Sequence, residues 1–224
     1  IYGAPNGMRL LSASLARFNS LQEFKCGGCQ FDDNSGADAI IQALARHSRL
    51  TKIHMTGSNN FGRRAMATLL CLLCNPNFSL RDLKLCECHL NDERAVTLAT
   101  ALGRNTTLRN LDLSHNRDIT ASGWSALFTQ LQSPQSSLER LNLGDNPIDE
   151  ATAALLASAL TNSTHLKILG LREIDDYLAT DGWCAIFDAL QNPRCMLQKL
   201  DLSSNNHLND EDMTHLANAL GNNH

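Results

Sequence analysis

Three apolar columns recurring seven times constrain this chain more than any other feature. The first column is Leu21, Leu50, Leu80, Leu108, Leu138, Leu166 and Leu197. Three places on stand Phe24, Ile53, Leu83, Leu111, Leu141, Leu169 and Leu200, and five places on Cys26, Met55, Leu85, Leu113, Leu143, Leu171 and Leu202. Each interval of 28 to 31 residues has room for one short alternating strand and one helix. The stretch Leu108–Gln132 shows both halves. Its strand part ends at Asn116, and its helix part carries Trp124, Leu127, Phe128 and Leu131 at the spacing of one buried face. A single strand and helix cannot enclose a core, so each unit must stack on the next.

Stacking dictates the shape. Parallel strands sit about 4.8 Å apart, whereas helix axes need about 8–10 Å, so the array must splay outward on its helical side. A sequence of this kind resembles the ribonuclease-inhibitor-like class of leucine-rich repeats, which includes ribonuclease inhibitor, the Ran GTPase-activating protein and the sensor domains of NOD-like receptors. The resemblance runs from Leu21 to the end. It implies an α/β, right-handed leucine-rich-repeat solenoid, a horseshoe with a parallel β-sheet on the concave face and α-helices on the convex face. The chain is expected to form one domain over 1–224, with a partial repeat at 1–20 and seven repeats starting at Leu21, Leu50, Leu80, Leu108, Leu138, Leu166 and Leu197. Aligning Leu15-Ala16-Arg17 with Leu44-Ala45-Arg46 sets Tyr2 opposite Phe31 and Leu11 opposite Ile40. The last helix, with Met213, Leu216 and Leu220, stops near Gly221. Neither end carries the polar cap a solenoid needs, which predicts an excerpt of a longer array with further repeats or domains at both ends.

A second period of 58 to 59 residues lies over the first. Even-numbered repeats place Met66/Leu70, Trp124/Phe128 and Trp183/Phe187 on the inner helix face, and odd ones place Ala95/Ala99 and Ala153/Ala157 there. Large layers facing small ones fill a close-packed core, so both tryptophans are assigned to it. Prolines 76, 134 and 193 follow the even helices as stops.

The position after the strand reads Cys29, Ser58, Cys88, Asn116, Asn146, Ile174 and Asn205. A polar side chain there can satisfy backbone groups of adjacent coils. Cys29 and Cys88 are therefore read as structural, and the eight cysteines as reduced thiols rather than a disulfide scaffold. The pairs Cys26/Cys29 and Cys71/Cys74 have zinc-like spacing, but they fall on opposite sides of the core, and no metal or cofactor is expected. Asn77, Asn105 and Asn162 sit in N-x-S/T sequons; Asn105 and Asn162 are read instead as helix C-caps in the left-handed conformation.

Enzyme signatures such as a phosphate-cradling Gly-rich loop, H-E-x-x-H or G-x-S-x-G are absent. A net charge of −4 gives no general pull towards nucleic acid or anionic membrane, and no apolar run approaches the ~20 residues of a span. What remains is the concave face, where side chains two, four, six and seven places after each first leucine point outward. Its four-place column is Lys25, His54, Lys84, Asp112, Asn142, Gly170 and Asp201, basic first and acidic later. The candidate partner-binding residues are Lys52, His54, Lys84, Asp112, Arg140, Arg172, Tyr177, Lys199 and Asp201. Tyr177 belongs to the long sixth repeat, beyond Asp175-Asp176. The expected function is a non-enzymatic, intracellular protein-interaction scaffold or recognition module whose partner is another protein. A Ran-type GTPase-activating module, or the sensor or substrate-recognition arm of a larger receptor or ubiquitin ligase, are the alternatives the resemblance implies.

Overall fold

A computed structural model describes residues 5–18, 20–28, 34–57, 62–174 and 177–221. Helix and strand alternate throughout. The strands are β1 (Glu23–Gly27), β2 (Lys52–Thr56), β3 (Asp82–Lys84), β4 (Asn110–Asp112), β5 (Arg140–Asn142), β6 (Ile168–Gly170) and β7 (Lys199–Asp201). The helices are α1 (Pro5–Leu15), α2 (Asn34–Leu44), α3 (Arg63–Leu73), α4 (Asp92–Leu102), α5 (Ala121–Leu131), α6 (Glu150–Asn162), α7 (Thr180–Leu190) and α8 (Asp210–Gly221). The strands form one parallel sheet in chain order. Register follows the apolar columns, pairing Phe24, Ile53, Leu83, Leu111, Leu141, Leu169 and Leu200 in succession. This is the α/β solenoid that the repeat predicts.

The core lies between sheet and helices. All three leucine columns are buried in the middle coils, whereas Leu21, Leu197, Leu200 and Leu202 in the first and last are only partly covered. The layers alternate as the sequence predicts. Trp124 stacks on Phe128 at 5.7 Å and Trp183 on Phe187 at 5.6 Å, all four buried. The facing helices offer Ala95, Ala99 and Ala153, which are buried, and Ala157, which is half-buried. Two glycines set the approach. A Cβ on Gly123 would come within 3.0 Å of Ala95 Cβ and 2.6 Å of Asp92 Oδ1, and one on Gly182 within 2.0 Å of Leu178 Cδ1.

Successive coils are tied by the turn position. Asn116 Nδ2 donates to the carbonyls of Leu85 (2.8 Å), Leu113 (2.9 Å) and Ser114 (3.2 Å). Its Oδ1 accepts from the Cys88 and Leu90 amides at 3.1 and 3.0 Å. Asn146 repeats the pattern, accepting from the Asn116 amide at 2.7 Å, and Asn205 accepts from that of Ile174 at 2.9 Å. Cys88 is a partial substitute: its thiol donates to the Met55 carbonyl at 3.0 Å. Ile174 is fully buried and offers no acceptor, so the chain of side-chain bonds is broken in the sixth coil. Cys29 and Ser58, at the same position, and Tyr2, Phe31, Asp175 and Asp176 lie outside the described residues.

One expectation is overturned. Neither Asn105 nor Asn162 adopts the left-handed conformation. Asn162 ends α6 with its amide donating to the Ser158 carbonyl. Asn105 is buried, donating to the Leu73 carbonyl at 2.7 Å and accepting from the Thr107 and Leu108 amides. A side chain able to brace the neighbouring coil is worth more here than a relaxed cap, and it leaves this sequon without an accessible amide. Cys71 lies on α3, Cys74 caps its C-terminus and Cys26 lies on β1. Among the described residues no group of three or more His, Cys, Asp or Glu is placed to hold a metal ion.

Candidate recognition face

The strand register turns the sequence columns into rows of side chains about 4.8 Å apart. The two-place row is Glu23, Lys52, Asp82, Asn110, Arg140, Ile168 and Lys199; the four-place row is Lys25, His54, Lys84, Asp112, Asn142, Gly170 and Asp201. Beyond the strands, every seventh-place residue has positive φ: Gly28, Gly57, Glu87, His115, Asp145, Glu173 and Ser204, between 53° and 63°. The first two coils use glycine, for which this conformation carries no Cβ penalty; the other five hold it with larger side chains. The glycines at 28 and 57 were the only sequence signal for this turn.

Ion pairing reorganises the charge that the columns display. His54 Nε2 meets Asp82 Oδ1 at 3.0 Å, and Lys84 meets Asp112 at 3.9 Å. The basic first half is thus largely matched. Asp112 also accepts from the Ser114 hydroxyl (2.6 Å) and amide (3.1 Å) and from Asn142 (3.0 Å). Asp145, nearly buried, is held by His115 at 3.2 Å and Arg117 at 3.1 Å. Arg172 grips Glu173 through two bonds of 3.0 and 2.7 Å. The Ser203 hydroxyl and amide donate to the exposed Asp201 and hold its carboxyl below the usual range. Among the described residues, Lys52, Arg140 and Lys199 reach no ion-pair partner. The free positive charge therefore lies on both halves, not mainly on the first.

Between β3 and β7 the concave face sinks into a depression of about 560 Å³. Gly144, Gly170 and the half-buried Ile168 are among its lining, and the Asn142 side chain lies against Gly170. Of the nine candidates, Lys84, Asp112, Arg140, Arg172, Lys199 and Asp201 line it, whereas Lys52, His54 and Tyr177 do not. Tyr177 is 44% exposed but is not part of the depression's lining. No aromatic residue lines the depression. Cys86, whose side chain also faces this side, is no thiolate: burial raises its thiol above the ordinary value, and the nearby Asp112 and Glu87 add to this against the Ser114 hydrogen bond.

A stacked strand–helix array with an accessible concave sheet defines a leucine-rich-repeat recognition module. The family described as "Leucine Rich repeat" matches residues 104–128 and 195–217. The chain is a leucine-rich-repeat protein related to the repeat regions of NOD-like receptors. It is 35% identical over 161 residues to "NACHT, LRR and PYD domains-containing protein 14" of Mus musculus, covering 72% of this chain and 16% of that protein. With the Homo sapiens protein of that name it shares 27% identity over 216 residues, 96% of this chain and 19% of the relative. The chain therefore spans under a fifth of the length of these relatives. Among solved structures, one titled "Leiomodin-1 Actin-Binding Site 2 (ABS2)" superposes with a TM-score of 0.50 at 20% identity, over 59% of this chain and 73% of that one. That likeness is one of fold alone.

Proposed function

We propose that this chain is the recognition segment of a longer intracellular receptor-like protein, and that it binds another protein on its concave face without catalysing a reaction. One observation carries the reading: a single depression is lined by residues from five successive strands and from the turns after the middle three. No single repeat could build such a surface, and repeat-by-repeat variation can tune it. The relatives' names, which include NACHT and PYD domains, support further domains outside this segment. Photo-crosslinking tests it. A benzophenone side chain at Lys84 or Lys199, on the concave face, should yield a discrete protein adduct in cells. The same probe at Thr100 or Thr129, exposed on α4 and α5, should not. Adducts from the helix positions alone would refute the concave reading.

A further inference from the structure

We infer that the depression receives an acidic amphipathic helix from the protein partner, laid across the strands, with one carboxylate on Arg140, another on Lys199 and an apolar side chain between them over Ile168. This rests on the concave-face reading above and names what the face holds. Three observations support it.

The first is charge left over after internal pairing. Arg140 and Lys199 are exposed and have no ion-pair partner among the described residues. The surrounding acids are occupied: Asp112 by Ser114 and Asn142, Asp145 by His115 and Arg117, Glu173 by Arg172, Asp201 by Ser203. An incoming carboxylate finds the open donors of Arg140 and Lys199, while Asp112 and Asp201, hydrogen-bonded to uncharged Ser114, Asn142 and Ser203, keep their charge and confine it to those two cations. An arginine also offers the planar fork that a carboxylate fits.

The second is the floor. Ile168 is the only apolar residue in the two outward rows and stands directly between the two cations in register, Arg140↔Ile168↔Lys199. Gly170 is two residues on in the same strand, and the Asn142 side chain leans over it: a Cβ there would lie 2.6 Å from Asn142 Oδ1. The site is shallow, apolar at its centre and basic on both sides.

The third is spacing. Two ladder steps separate Arg140 from Lys199, roughly 10 Å. In an α-helix, residues i and i+7 lie on one face about 10.5 Å apart, with i+3 and i+4 midway. Same-face residues of an extended strand recur at roughly 6.8 and 13.6 Å, and neither value fits. The occupant is helical, in the helix-in-groove mode.

The test uses a fluorescein-labelled, lactam-bridged helical peptide with Glu at i and i+7 and Leu at i+3, titrated by anisotropy into the 224-residue chain. Binding should weaken at least tenfold in R140E/K199E and by a smaller factor in R140Q/K199Q, with unchanged circular dichroism. It should fall about fivefold when the peptide Leu becomes Ala, as for a half-covered aliphatic group. A peptide with Lys at i and i+7 should prefer R140E/K199E to the parent. Equal binding by parent and both variants would overturn the site, and equal binding of a proline-interrupted peptide would overturn the helix. If no peptide binds while Lys84 and Lys199 crosslinks persist, the helical occupant is wrong and the concave face stands. If those crosslinks are also missing, both readings fall.

Discussion

Asn116→Ala should be among the most destabilising single changes on this chain, although it removes only a carboxamide. The Asn116 side chain is fully buried and makes five hydrogen bonds. Two of its acceptor groups are served elsewhere: the Leu113 carbonyl also receives Asn146 Nδ2, and the Ser114 carbonyl receives the Glu87 amide. Three groups would lose this partner, the amides of Cys88 and Leu90 and the carbonyl of Leu85. At about 1–3 kcal/mol for each buried group left unmatched, and allowing for partial relaxation, the change should cost about 3–6 kcal/mol. That is a large share of the 5–15 kcal/mol of an ordinary domain. Asn116→Cys should cost less, about 2–4 kcal/mol, because a thiol can still donate as Cys88 does to Met55. Asn110→Ala, on the concave face with one bond of 3.2 Å to Asp82, should stay within about 0.5 kcal/mol of the parent. Urea unfolding by circular dichroism measures all three, with unchanged m-values as the condition for comparison. Equal midpoints for Asn116→Ala and Asn110→Ala would refute the idea that this position holds the coils together.

Three further outcomes follow from the same structure. Trp124→Ala should cost about 3–5 kcal/mol by opening a cavity, and an unchanged thermal midpoint would place the indole outside the core. Gly123→Ala should lower the midpoint even though alanine favours helix by about 1 kcal/mol, because its Cβ meets Asp92 Oδ1 and Ile119 Cγ2 at 2.6 and 2.8 Å; a gain in stability would show that α4 and α5 can separate freely. Burial raises the Asp92 pKa, but the Thr120 hydroxyl and the Thr120 and Gly123 amides outweigh it and hold it below the ordinary carboxyl value. A depressed folded pKa gives stability that is present above the unfolded value and lost as pH falls through the folded one. Asp92→Asn should therefore flatten the stability profile below about pH 4, measured by urea midpoints from pH 5 to 2.

The fold was legible because its signal is additive. Seven aligned columns fix register, and register fixes which side chains face the concavity, so the observed pairings repeat the columns residue for residue. The Trp and Ala layers were readable for the same reason. The charge pattern was not. A column shows that His54 and Lys84 point outward but not that Asp82 and Asp112, one coil further on, lie within reach of them. The left-handed turn at Glu87, His115, Asp145, Glu173 and Ser204 has no glycine to mark it in the sequence. Asn105 was misread because its sequence neighbours indicate a helix end, while its side chain also reaches the Leu73 carbonyl in the preceding coil.

The alternation of Trp-bearing and Ala-bearing helices also bears on how such an array can change length. Removing one coil, residues 138–165, would delete α6 and bring α5 against α7, setting Trp124 and Phe128 opposite Trp183 and Phe187. Two bulky layers would then compete for space that an alanine face occupies now, an overpacking that typically destabilises by 1–3 kcal/mol or more. Removing two coils, residues 108–165, would instead join α4 to α7 and restore small against large. The heritable unit of this solenoid is thus the pair, and recombination within it should preserve folding only in even steps.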